Sequence, residues 1–98
     1  MKVIKRDDSI VEFDRAKIVA AIQKANLAVD EPYRLDEGSI EAIADSVASK
    51  DRTRLLVEDI QDMVETKLMA AGKYELAKAY IIYRYTRALV RKANTTDE

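Results

Sequence analysis

The first thirteen residues hold two short β-rich runs, KVIKR at 2–6 and IVEF at 10–13, separated by Asp7, Asp8 and Ser9. The pattern predicts a hairpin with a tight polar turn. Asp-Asp forms such a turn less readily than Asp-Gly, because its second residue can need a positive φ that Asp tolerates less well than Gly. Asp14 then offers an N-cap for a helix running to about Ala28, with Ile18, Ala21, Ile22 and Ala25 as its apolar stripe. Residues 29–35, containing Pro32, form a connector. A second helix begins near Asp36 or Gly38 and carries Ile40, Ile43, Ala44 and Val47 at helical spacing.

Residues 51–56 turn from polar to apolar and are short enough for a third strand. From Val57 the spacing of Val57, Ile60, Val64, Leu68 and Ala71 predicts an amphipathic helix that Gly72 terminates. The last helix is expected from about Tyr74 to Lys92, with fraying from Ala93. Residues 1–93 thus form one domain and 94–98 a disordered tail. Two strands alone are marginal in water, so the hairpin must lie on the helices and recruit the third strand. The fold class is α+β, mainly α: a helical bundle capped by a small sheet.

Composition narrows the chemistry. The chain of 98 residues is 48% hydrophobic, enough for one modest core. Seventeen Lys and Arg against eighteen Asp and Glu leave no overall positive field to hold nucleic acid, so any anion site is local. The sequence has neither Cys nor His, which removes disulfides, zinc ribbons, thiol nucleophiles and imidazole bases. With two glycines, Gly38 and Gly72, neither a Walker-type loop nor a G-x-G-x-x-G turn can be built, so a phosphate would have to meet side chains. No membrane span or signal peptide is apparent, and a cytoplasmic location is expected.

Several residues interrupt the apolar pattern. On the last helix Leu76, Tyr80, Tyr83, Arg87 and Val90 fall within roughly 80° of one another, and Arg84 lies in the adjoining stripe. Arg84 and Arg87 are one turn apart, so both guanidinium groups can reach a shared anion. Gln61 shares the stripe of Val57, Val64 and Leu68, and a buried amide needs a partner. Lys5 and Arg6 are expected on opposite faces of the first strand, and Lys17 lies beside the stripe of the first helix. Taken singly, each reads as a packed stem, an interhelical hydrogen bond or a solvated charge. The acidic pairs Asp7–Asp8, Asp36–Glu37 and Glu58–Asp59 read as caps and helix-dipole partners rather than acid/base dyads. Tyr74, Tyr80, Tyr83 and Tyr85 form no basic-aromatic stripe, and Tyr80 and Tyr83 read as core.

Three segments, VIKRDDSIVEFDRAKI at 3–18, VEDIQDMV at 57–64 and LAKAYIIYR at 76–84, resemble the ATP-cone, the N-terminal allosteric domain of many ribonucleotide reductases. The first segment is the most specific: Lys5-Arg6-Asp7 is followed seven residues after the Asp by Asp14, and then by Lys17-Ile18. The resemblance implies a four-helix bundle under a three-stranded sheet. It also implies a regulatory domain, not an enzyme, that binds ATP or dATP and sets the overall activity of a reductase. Carried over by position, Val3, Lys5 and Arg6 belong to the first-strand wall of the site, Asp14, Lys17 and Ile18 to the first helix, and Val57 and Gln61 to the third. Arg84 and Arg87 fall where the family places basic residues on the last helix.

In that reading Lys5, Arg6, Lys17, Arg84 and Arg87 screen a triphosphate while Val3, Ile18 and Val57 sandwich the base. Asp14 and Gln61 contact base or sugar, and magnesium accompanies the phosphates. The implied partner is a catalytic or radical-generating reductase subunit, with an oligomeric state that depends on nucleotide; membrane and nucleic acid are not expected partners. Asp8 replaces the usual turn glycine, and Val57 stands where some members carry a hydroxyl. No reductase catalytic domain follows, so the expectation is an excised domain or a stand-alone cone. The alternative is a stand-alone or repressor-type nucleotide-sensing cone acting through protein–protein or DNA-linked regulation; in the repressor a four-cysteine zinc ribbon precedes the cone, and no cysteine occurs here.

Overall fold

Buried side chains from two of the strands and from all four helices define one core. In the computed structural model, residues 1–49 and 54–95 are described, with side chains as far as Val90. The elements follow the order β1 (Lys2–Ile4), β2 (Ile10–Glu12), α1 (Arg15–Asn26), a 3-10 turn (Glu31–Tyr33), α2 (Glu37–Ala48), β3 (Arg54–Leu56), α3 (Val57–Ala70) and α4 (Tyr74–Thr95). This is the expected α+β architecture, four helices with a small three-stranded sheet. Of the proposed third strand, 54–56 is a strand and 51–53 lie outside the described residues.

The sheet has the order β2-β1-β3, with β1 antiparallel to β2 and parallel to β3. Val3 and Leu55 are partners in the parallel register, and both are buried against the helices. Helix α1 contributes Ile18, Ile22 and Ala25 to the core, and α2 contributes Ile40, Ile43, Ala44 and Val47. Helix α3 adds Ile60, Val64 and Leu68, while Leu76, Ala77 and Tyr80 come from α4. Arg15 ties α1 to α2 by donating to Asp45 at 2.6 Å and to Glu41. Among the described residues no helix is long and apolar enough to cross a membrane.

Helix termini follow the sequence signals. Asp14 caps α1 by accepting from the Ala16 amide at 3.0 Å, and Asp36 caps α2 by accepting from the Ser39 amide at 3.0 Å. Helix α3 ends in a Schellman turn: the amide of Gly72, at φ 77°, donates to the Met69 carbonyl at 2.9 Å, and that of Lys73 to Leu68 at 3.1 Å. This turn folds α4 back against α3 as an antiparallel helical hairpin.

Two expectations for α4 change. Its buried face ends at Tyr80: Tyr83 is only half-buried and Val90 is 48% exposed. At about 1.5 Å per residue, the 22 residues of α4 make a rod of about 33 Å, longer than the bundle that covers it. The helix also continues through Thr95, two residues into the segment expected as a tail, and 96–98 lie outside the described residues.

The hairpin turn is shifted from its expected place. The Asp8 amide donates to the Lys5 carbonyl at 2.9 Å, so Arg6 and Asp7 are the central residues, and Asp8 follows in the left-handed region at φ 67°. Strand β1 stops at Ile4; the Lys5 amide still donates across the hairpin to the Ser9 carbonyl at 2.8 Å, while Arg6 enters the turn instead of alternating across the sheet. Asp7 secures the turn by accepting from the Ser9 amide at 3.0 Å and hydroxyl at 2.6 Å. An L residue in the left-handed region costs about 1–2 kcal/mol, partly offset by the greater unfolded-state freedom of Gly. Asp8→Gly is accordingly expected to raise stability by up to about 1 kcal/mol in thermal or urea unfolding, with the hairpin unchanged.

Candidate functional site

Strand β3 passes into α3 without a loop, Leu56 being both the last strand residue and the N-cap of the helix. Because β1 and β3 run parallel with Ile4 opposite Leu56, the residues two steps further on, Arg6 and Glu58, emerge side by side. Arg6 Nε donates to Glu58 Oε1 at 2.5 Å. From the other side Arg84 of α4 donates through Nη2 to Glu58 Oε2 and through Nη1 to Glu65 Oε2 at 2.8 Å. Glu58, Gln61 and Glu65, spaced i, i+3 and i+7, line the side of α3 that meets α4. The Tyr80 hydroxyl donates to Gln61 Oε1, completing a polar seam between the two helices.

The electrostatics differ along this seam. The hydrogen bond from Arg6, with the charges of Arg6 and Arg84, holds the Glu58 carboxyl below its ordinary value of 4.5 against a smaller burial penalty. Glu65 moves upward, chiefly because it is buried, with its side chain only 13% exposed; Asp62 and Glu58 add repulsion that Arg84 opposes. Burial raises the Tyr80 phenol, so it stays a neutral donor. Arg84 itself is 20% exposed, its stem packed and its head paired.

The residues selected from the sequence separate into four groups. Along the polar seam Arg6 and Arg84 meet at Glu58, and Gln61 separately accepts from Tyr80. Val3 and Ile18 are buried in the core, and Val57 packs against the same cluster from the first turn of α3. Lys5, Lys17 and Arg87 are exposed and make no ion pair among the described residues, and no hydrogen bond joins them to the Arg6–Arg84 network. Arg84 turns back onto α3 and pairs with Glu58 and Glu65, whereas Arg87 one turn further on stays exposed. Asp14 is engaged as the α1 cap.

Glu58, Glu65 and Tyr80 were not singled out from sequence as parts of a site. Glu58 looks like a first-turn dipole partner, and only the strand register reveals that it bridges two arginines. A depression of about 310 Å³ elsewhere on α3, lined by Asp62, Met63, Thr66 and Lys67, contains none of the selected residues.

A domain of four helices and a mixed three-stranded sheet is the architecture that the sequence resemblance implied. The chain matches the ATP-cone domain family over residues 1–89 and belongs to it. It is 42% identical over 98 residues to a vitamin B12-dependent ribonucleoside-diphosphate reductase of Thermoplasma acidophilum, covering 93% of this chain and 12% of that protein. It is 36% identical over 109 residues to a ribonucleoside-diphosphate reductase subunit alpha of Chlamydia trachomatis, covering 99% of this chain and 10% of that protein. An anaerobic ribonucleoside-triphosphate reductase of Haemophilus influenzae is 40% identical over 93 residues, covering 92% of this chain and 13% of that protein. The chain therefore spans only about a tenth of the length of these relatives.

The pKa directions fix the sign of a pH effect. Glu58, lowered on folding, adds stability that is complete above the ordinary glutamate value of 4.5 and is lost as pH falls through its lower folded value. Glu65, raised on folding, opposes it: its contribution is present below 4.5 and is lost as pH rises through its folded value. Comparison of Glu58→Gln with the unsubstituted domain in thermal unfolding is expected to show a deficit at neutral pH, below about 1 kcal/mol for so exposed a pair, that closes toward pH 3. A deficit independent of pH would exclude the ionic origin.

Proposed function

We propose that this domain is an adenine-nucleotide sensor that binds ATP and dATP and sets the activity of a ribonucleotide reductase, without catalysing a reaction itself. The observation that carries the reading is the meeting of Arg6 and Arg84, from opposite ends of the chain, at the head of α3. Family membership and the reductase relatives support it.

The residues present fit a triphosphate on a stated condition. Arg6 and Arg84 with Glu58 and Glu65 form a cluster of zero net charge, so neutralisation of the phosphates has to draw on Lys5, Lys17 and Arg87 as well. Arginine forks suit phosphate oxygens, and the lysines act as point charges. Among the described residues no group of three or more carboxylates could hold a metal ion, so magnesium would be held by phosphate oxygens and water. The partly buried Val57 supplies apolar surface for the base, beside the edges of Val3 and Ile18.

Regulation also requires a surface that reports the bound state. Ile82, Tyr85 and Leu89 lie on one side of the outer half of α4 at 65%, 63% and 49% exposure, a surface suited to contact with a reductase subunit. ATP and dATP differ by one hydroxyl, and each must favour a different docking state, because equal affinity for both states shifts no equilibrium.

Titration calorimetry with ATP and with dATP is expected to give saturable binding. Lys5→Ala and Lys17→Ala, each outside the ion cluster, are expected to weaken it at least about tenfold while changing thermal stability by less than about 0.5 kcal/mol. Absence of binding heat, together with identical gel-filtration profiles in the two nucleotides, would reject the reading.

A further inference from the structure

We propose that Glu58 is an internal competitor for the effector's phosphates, holding Arg6 and Arg84 against each other until a phosphate displaces its carboxylate from at least one of them. This inference rests on the nucleotide reading above and specifies how affinity at that site is set. A carboxylate and a phosphate present oxygens of similar spacing to a guanidinium, and both accept from the same N–H donors. Arg6 gives Nε to Glu58 Oε1 at 2.5 Å, and Arg84 gives Nη2 to Glu58 Oε2, so each carboxylate oxygen already occupies an arginine. A phosphate seeking either fork meets a donor that is in use.

The two acids of the cluster are not equivalent. Glu65 is 13% exposed, sits against Arg84 alone and is penalised by burial, so it acts as a fixed partner that keeps the Arg84 stem seated on α3. Glu58 is 44% exposed and lies at the solvent edge between the two arginines, with water at hand to accept its carboxylate if it is displaced. Only Glu58 also joins α3 to the turn after β1. Displacing it would uncouple that turn from α3 while Glu65 still holds Arg84, so the response to phosphate would be local to the hairpin.

The experiment compares the unsubstituted domain, Glu58→Gln and Glu12→Gln, using inorganic tripolyphosphate and dATP as separate titrants. Glu12→Gln removes the same charge from a carboxylate on β2 that pairs with Lys2, outside the Arg6–Arg84 cluster, and so controls for net charge. The expected result is binding of both titrants to all three proteins, with Glu58→Gln on the order of five- to tenfold tighter and Glu12→Gln within about twofold of the unsubstituted domain. Circular dichroism verifies that each variant is folded. Unchanged or weaker binding by folded Glu58→Gln, with the unsubstituted domain binding normally, overturns the competitor role and leaves the nucleotide reading standing. An equal gain in both variants also overturns it, by assigning the effect to net charge. If no folded protein binds either titrant, the nucleotide reading fails and the inference fails with it.

Discussion

Parallel pairing of β1 with β3 is the constraint on which the rest of the molecule depends. Three residues on each strand place Val3 beside Leu55 and seat both on the helices. Because β3 runs into α3 with no loop, the same register fixes where α3 begins and which of its side chains face the end of β1. A parallel pair cannot be closed by a tight turn, so the chain between these strands has to make a crossover. Here α1 and α2 are part of it and, among the described residues, contribute seven of the sixteen buried core side chains. Site and core therefore share one cause: the crossover that fills the bundle also returns α3 to the first strand.

That arrangement explains why the arginines carry so much of the structure. Arg84 is mostly buried, and a buried guanidinium without a partner is costly, so α3 presents Glu65 and Glu58 to it. The resulting cluster is neutral. Neutrality favours folding, because no net charge is confined at the junction of sheet and helices, but it works against recruitment of an anion. Lys5, Lys17 and Arg87 are exposed and lie outside the cluster, so the described cations divide into a set that holds the fold and a set that faces solvent.

Much of this was legible in the sequence where the signal is local. Asp14, Asp36 and Gly72 mark helix ends through interactions with their nearest neighbours in the chain, and all three act where the spacing placed them. The apolar stripes of α1, α2 and α3 follow from a 3.6-residue period that each helix carries by itself. The extent of burial along α4 was not legible, because it depends on how far the other helices reach, and the face of Tyr83 and Val90 is covered only in part. Glu58 was missed for a related reason. Its meeting with Arg6 is created by a register between strands far apart in sequence, and no spacing within α3 encodes it. The position of Arg6 also escaped a strand-based reading, since Asp8 in the left-handed region moved the turn earlier and shortened β1.

The contacts of Gln61 and Arg84 are the ordinary ones that their burial requires. Gln61 does make the interhelical hydrogen bond that a buried amide requires, and Arg84 does pair with glutamates over a packed stem. Those contacts hold α3 and α4 in register, which keeps Arg84 at the head of α3, where the turn after β1 delivers Arg6. A site assembled from such side chains has no dedicated loop and needs no glycine cradle; its geometry is inherited from helix packing. The consequence is mechanical as well as chemical. The bonds of Arg6 and Arg84 to Glu58 and Glu65 join the turn after β1, α3 and α4, so the relative fit of these elements rests on the same few contacts.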